Sequence, residues 1–225
     1  MRKLVSELKQ LHIRFSEMGM MVSEAINKAV EAFINHDKTL ANTVIAADQQ
    51  INKREVELEQ RSLELIALQQ PVTSDLRDIV TIMKVCNDLE GMGDHAVSIA
   101  KITIHVKNKP RVPMIEAAIG QTAQIVKAMV TGALDAYLRQ DAQLAQRIAM
   151  MDQQVNQHVH VIYQHCIAAM QTNEKNVAGT MDYSLVANYL ERIGDYVTNI
   201  CEWIVYLRTG KIYELHSGAH DEYLV

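Results

Sequence analysis

A chain of 225 residues is long enough for one large domain or two small ones. Its 48% hydrophobic and 22% charged residues describe a packed core with a wet surface. A formal net charge of −5 without a dense Lys/Arg stripe argues against nucleic acid as the main partner. Three scattered cysteines, a start (Met1-Arg2-Lys3 running into Glu7 and Lys9) without an apolar leader, and no stretch apolar enough to span a bilayer lead to an expected cytoplasmic, reduced protein with no membrane span.

Only 3 prolines and 9 glycines punctuate the chain, and its richness in Ala, Gln, Leu, Met and Val favours helices over strands. Three helices are expected in the first half, over 3–35, 40–69 and 75–106. Pro71 separates the second from the third, with Ser74 or Asp75 as the N-cap. The run from Lys107 to Arg111 reads as a solvated linker, and Pro110 and Pro113 mark a joint. Three more helices follow over 114–139, 141–170 and 177–207. The expected fold is all-α: two tandem three-helix bundles, residues 1–109 and 110–210, with a loose tail over 211–225.

The two bundles read as an internal duplication. Asp48-Gln49-Gln50-Ile51-Asn52 recurs as Asp152-Gln153-Gln154-Val155-Asn156, an offset of 104 positions that also pairs Asp37 with Asp141. Leu89-Glu90-Gly91-Met92-Gly93-Asp94 recurs as Leu190-Glu191-Arg192-Ile193-Gly194-Asp195 at an offset of 101. The second half therefore has a connection about one helical turn shorter.

On a helical wheel of the second helix, Val44, Ile51, Leu58 and Leu65 form one apolar edge and Ile45, Val56 and Leu63 the other. Asp48, Asn52, Glu55 and Glu59 fall between them. Asp48 and Asp94 lie equally far from Pro71, so antiparallel helices bring them level, with Glu90 one turn away. Asp152, Asn156, Glu191 and Asp195 repeat the arrangement. Carboxylates gathered in a partly apolar groove repel one another and are costly to desolvate. Protonation relieves this, and so does a multivalent cation; an all-oxygen donor set favours Mg²⁺, Ca²⁺, Mn²⁺ or iron. The competing reading is a solvated acidic face with no ligand. His95 falls opposite its helix's apolar stripe and is expected at the surface. No P-loop, GxSxG, HExxH or CxxC is present, nor the Glu-x-x-His of di-iron bundles, so no enzyme is expected.

In this order, Gln70-Pro71-Val72-Thr73-Ser74-Asp75-Leu76-Arg77, the Leu89–Ala96 run, Leu190–Asp195 and the DQQIN/DQQVN pair resemble the PhoU family of phosphate-specific transport accessory proteins, up to about Gly210. The resemblance implies two three-helix bundles, often as a homodimer, carrying metal clusters: iron or zinc in some members, magnesium or manganese in others. It carries the family's acidic motif onto Glu90/Asp94 and Glu191/Asp195, its helix-two aspartates onto Asp48 and Asp152, and its DLR element onto Asp75 and Arg77. It further implies negative regulation of the phosphate-starvation response, as an adaptor between the ATPase subunit of the phosphate ABC transporter and a phosphate-sensing histidine kinase. The alternatives are a metal-dependent helical-bundle enzyme or metal store, and a metal-free structural adaptor. Two departures set the halves apart: Gly91 stands where Arg192 keeps the family's arginine, and Glu55 and Glu59 become Val159 and Tyr163.

Overall fold

The computed structural model describes residues 2–106 and 111–215, with side chains from residue 4. Residues 107–110 of the expected linker and 216–225 of the expected tail lie outside the described residues. Among the described residues there is no strand. Helices α1 (Arg2–Asn35), α2 (Lys38–Gln69) and α3 (Ser74–Val106) make the first bundle. Helices α4 (Pro113–Arg139), α5 (Ala142–Ala149), α6 (Asp152–Thr172) and α7 (Val177–Thr209) make the second, with a 3₁₀ turn over Glu174–Asn176.

The repeat extends to the turns. His36 and Gln140, 104 positions apart, both adopt left-handed backbone (φ 53° and 50°). The following residues, Asp37 and Asp141, donate their backbone N–H back to Ala32 and Ala136. Their carboxylates then accept from Leu40 N (3.0 Å) and Leu144 N (2.9 Å), capping the next helix. Helix α2 stops where Gln70 turns left-handed (φ 46°) before Pro71, a position from which the helical region is sterically disfavoured. Helix α3 starts at Ser74, after Thr73 at φ 47°. Neither expected cap is the cap, because both sit inside the first turn, where Asp75 complements the helix dipole instead.

The expected fifth helix is divided. At Met150–Met151 the ladder tightens, with Met151 N–H bonding Ile148 C=O at 3.0 Å and Gln154 N–H bonding Met151 C=O at 2.9 Å, so that Asp152 opens α6. Its equivalent, Asp48, lies inside the unbroken α2.

Burial follows the predicted stripe on one edge of α2 only: Val44, Ile51, Leu58 and Leu65 are buried, whereas Val56 and Leu63 are 48% and 56% exposed. Helix α2 packs on α1 and α3, and nothing among the described residues covers its outer flank. The acidic stripe therefore runs along the margin of the core contact, not inside an apolar face. All three cysteines are buried and reduced.

The two bundles join along α3–α7 and α1–α4, both antiparallel: Arg77 lies against Gly210 and His95 against Tyr196, while His12 meets Tyr137 and Ile34 approaches Gly120. After Gly210 (φ 71°), residues 211–215 are not helical, but Leu215 N–H reaches Glu202 Oε1 at 2.7 Å, so the start of the expected loose tail is pinned.

Candidate functional site

The grooves between α2 and α3 and between α6 and α7 hold the predicted carboxylates. In the first, Asp48, Asn52 and Glu55 line the α2 side and Glu90 and Asp94 the α3 side; all are half-buried except Asp94, which is exposed. Ile51 packs on Gly93, its side-chain carbons 3.4 Å from where a Cβ would stand, and this close approach brings Asp48 level with Asp94.

The consequence is electrostatic. Burial and the neighbouring Asp94 raise the Asp48 carboxyl, opposed by Lys101 and by the Asn52 amide beside it. Burial, Glu59 and Asp94 raise Glu55. Glu90 is pushed up to about 7 by burial first and then by Asp94, Glu55 and Asp48. These groups form one coupled acidic strip to which Glu59 also belongs. Glu59 carried a place on the predicted stripe but no place in the predicted ligand set. Asp48 Oδ1 and Asn52 Oδ1 are buried without a hydrogen-bond partner.

The second groove is built differently. Asp152 is buried, with Oδ1 2.8 Å from where a Cβ of Gly194 would lie, so glycine is what allows the aspartate to seat there. Asn156 Nδ2 donates to Asp152 Oδ2 at 3.0 Å, and Asn156 Oδ1 is buried without a partner. Glu191 is raised by burial, then by Asp195 and Asp152, but Arg192 opposes the shift and lies 3.4 Å from Asp195 Oδ2. Val159 is buried in place of Glu55, and Tyr163 stands half-buried in place of Glu59.

Asp75 and Arg77 do not join either cluster. Asp75 is 15 residues before Glu90 on one helix, about 22 Å along its axis. Arg77 packs on the end of α7, its Nη1 2.6 Å from where a Gly210 Cβ would stand.

His95 is not a surface residue. It is half-buried in the α3–α7 seam, stacked on Tyr189 (ring centroids 5.4 Å apart) and tilted against Tyr196 (5.8 Å). Burial lowers its pKa; Asp94 and Asp195 act in the opposite direction and Arg192 with it. Since His95 and Tyr196 are repeat equivalents in mutual contact, the seam carries a local two-fold relation, and the grooves flank it at one level.

That seam explains the Gly91/Arg192 difference. A Cβ on Gly91 would stand 2.6 Å from Tyr196 Cζ, so the larger ring of α7 occupies the space in which a side chain would begin. Across from Arg192 the equivalent ring is the smaller His95, within its electrostatic reach.

No three His, Cys, Asp or Glu side chains among the described residues converge tightly enough to enclose a metal ion. The donors instead line open grooves. The unpartnered oxygens of Asp48, Asn52 and Asn156 and an oxygen-only donor set fit a hard cation that keeps part of its water shell, more than a closed thiolate–imidazole cage.

The comparisons with known proteins agree with one another. The family model described as "PhoU domain" matches the chain twice, over residues 15–103 and 119–204. A phosphate-specific transport system accessory protein PhoU homolog from Streptococcus pneumoniae is 35% identical over 210 residues, covering 93% of this chain and 97% of that protein. The homolog from Aquifex aeolicus is 35% identical over 211 residues, covering 93% and 95%. Among solved structures, the phosphate transport system regulatory protein PhoU from S. pneumoniae superposes with a TM-score of 0.86 at 33% identity, over 93% of this chain and 99% of that one. PhoU from Pseudomonas aeruginosa gives 0.86 at 32%, over 92% and 99%. The duplicated helical bundles, the grooves and these matches over both halves make the chain a member of the PhoU family.

Proposed function

We propose that this chain is a non-enzymatic accessory protein of phosphate-specific transport that restrains the phosphate-starvation response when phosphate is plentiful. The observation that carries this reading is the match over both repeats to relatives bearing the accessory-protein name. In this reading the protein works in the cytoplasm as a homodimer, linking the transporter's ATPase subunit to a phosphate-sensing histidine kinase. No helix among the described residues is long and apolar enough to cross a membrane, in keeping with an adaptor that visits a transporter without being part of its channel. Two repeats joined along α3–α7 and α1–α4 present two faces on one body, which suits an adaptor with two partners.

The metal reading belongs to the same proposal. Asp48, Asn52, Glu90 and Asp94, with Glu55, would hold a cation in the first groove; Asp152, Asn156, Glu191 and Asp195 would do so in the second. A bound magnesium, manganese, iron or zinc ion would supply positive charge that offsets the repulsion among these groups. The open spread of the donors favours a metal-free structural adaptor as the second reading. Elemental analysis of the purified wild type against Asp48→Asn/Asp94→Asn decides between the two; a wild type without metal after reloading sinks the metal reading. For regulation, deleting the gene is expected to derepress a phosphate-starvation reporter in phosphate-rich medium. An unchanged reporter counts against the role.

A further inference from the structure

The outer face of α7 changes character along its length. Near the C-terminal end it carries Tyr206, Trp203 and Glu202, all half-buried, and further back the exposed Arg192. Beyond Arg192 the face turns apolar. Val177, Met181 and Leu185, four positions apart on one side of the helix, are 42%, 52% and 43% exposed. After α7 ends at Gly210 the chain doubles back along it. Leu215 N–H reaches Glu202 Oε1 at 2.7 Å, and the Leu215 side chain packs on the edge of the core. The chain thus arrives at residue 215 heading toward the N-terminal half of α7. The sequence that follows is His216-Ser217-Gly218-Ala219-His220, then the acids Asp221-Glu222, then the apolar Tyr223-Leu224-Val225. Along α7, in the same order, stand one cation and then an apolar stripe.

We infer that residues 216–225 dock in cis on this face, Asp221 and Glu222 facing Arg192 and Tyr223, Leu224 and Val225 covering Leu185, Met181 and Val177. The lengths match. Leu185 lies about 25 Å of helix from Glu202, and Met181 about 31 Å. An extended chain advances about 3.3 Å per residue, which brings Tyr223 about 26 Å and Leu224 about 30 Å from Leu215. Asp221 then comes within about 5 Å of the level of Arg192, inside the reach of an arginine side chain. Arg192 is free to turn toward it: its bond to Asp195 is a long 3.4 Å, and its side chain is 60% exposed. An exposed ion pair contributes little, so the apolar stripe supplies most of the affinity and Arg192 the register. Tethering at Leu215 makes the association intramolecular, so modest contacts suffice. The docked segment runs beside Asp195, along the rim of the α6–α7 groove. It shields the outer face of the second repeat and leaves that of the first repeat open to partners.

Cysteine pairs in the full chain test this, since the three native cysteines are buried. On mild oxidation Tyr223→Cys/Leu185→Cys is expected to form an intramolecular disulfide at least about tenfold faster than Tyr223→Cys/Lys101→Cys. Lys101 is the matched control: the contacts of Arg77 with Gly210 and of Gly91 with Tyr196 set α3 against α7 so that this exposed residue stands level with Leu185, off the stripe. Adding Arg192→Glu should slow the first pair by about threefold. The protein without added cysteines gives a second reading through peroxide oxidation of methionine. Met181 is expected to oxidise at least about threefold slower than Met114, which is 57% exposed, and Leu224→Asp to abolish that protection. Equal rates for the two cysteine pairs overturn the docking, as do disulfides that join two chains. So does a Met181 that oxidises as fast as Met114. An unchanged rate with Arg192→Glu overturns the part given to Arg192.

Discussion

Two sets of carboxylates in this molecule meet the cost of leaving water in opposite ways. Glu116, at the start of α4, is 5% exposed and fully engaged. Its oxygens accept from Arg111 Nε (3.0 and 3.1 Å), Tyr183 Oη (2.7 Å) and His36 Nε2 (2.9 Å), while Arg111 Nη2 also donates to Ile34 O. Burial alone would raise its pKa, yet these donors leave it below the usual carboxylate value. The cluster joins α1, α4 and α7. The position 104 residues earlier is His12, which bridges Asp78 Oδ2 (2.7 Å) and Tyr137 Oη (2.8 Å) and so ties α1 and α3 to α4. Glu90 is half-buried and lacks such partners: its neighbours are other acids, and its pKa rises to about 7. A carboxylate that its own chain satisfies holds the fold together. One left among like charges costs the fold stability until something offsets the charge.

The largest effect that tests this contrast is at Glu116. Glu116→Gln keeps the shape and removes the charge that three donors share, and is expected to cost about 2 kcal/mol. The measurement is urea unfolding, read as a lower midpoint at unchanged slope. The sign with pH is fixed by the lowered pKa: the contribution is fully present above the unfolded value of 4.5 and is lost as pH falls through the folded one. The gap between wild type and variant should therefore close on acidification below that value. A gap that stays constant there means the charge is not what stabilises.

The groove predicts a smaller effect of opposite sign. Because Asp48 is raised by burial and by Asp94, Asp48→Asn should stabilise the metal-free protein by roughly 0.5–1 kcal/mol, discounted for the groove's exposure to solvent. Glu90 sets the pH dependence. A carboxylate with a raised folded pKa contributes stability that is full below its unfolded 4.5 and lost as pH rises through about 7. In chelator, melting temperature should climb as pH falls from about 8 to about 5, and Asp48→Asn, by lowering Glu90's pKa, should flatten the climb. A destabilised Asp48→Asn would place Asp48 among the satisfied carboxylates and dissolve the contrast.

The contrast was half legible in the sequence. The groove carboxylates come in repeated runs at fixed spacing, and helix periodicity with the Pro71 turn is enough to place Asp48 beside Asp94. Glu116 stands in no run, and its partners come from α1, α7 and the linker. The offset of 104 that pairs it with His12 is a signal without a chemical likeness to draw the eye. Where the reading failed, the missing term was a distant helix. His95 lies opposite its helix's apolar stripe, which points to solvent, whereas α7 of the other bundle covers it. Val56 and Leu63 fall on an edge of the wheel's apolar face yet stand exposed, because a wheel records amphipathicity and not which neighbours arrive. Asp75 and Arg77 carried a family signature, but their own helix places them several turns from the grooves.

The smallest predicted effect concerns the residue that keeps the grooves different. Gly91→Ala gains about 0.5–1 kcal/mol of helix propensity. It also drives a methyl to within 2.6 Å of the tip of Tyr196, which must swing out of its contact with His95. Losing that ring pair costs about 0.5–1.5 kcal/mol, so the single substitution should be close to neutral in urea unfolding. Combined with Tyr196→His, which gives α7 the smaller ring that α3 already uses, the alanine no longer meets a ring, and its propensity gain should emerge. The double-mutant cycle should therefore show a favourable coupling of about 0.5–1 kcal/mol. Additive effects would mean that Tyr196 is not what keeps position 91 free of a side chain, and that the first groove's lack of an arginine has another cause.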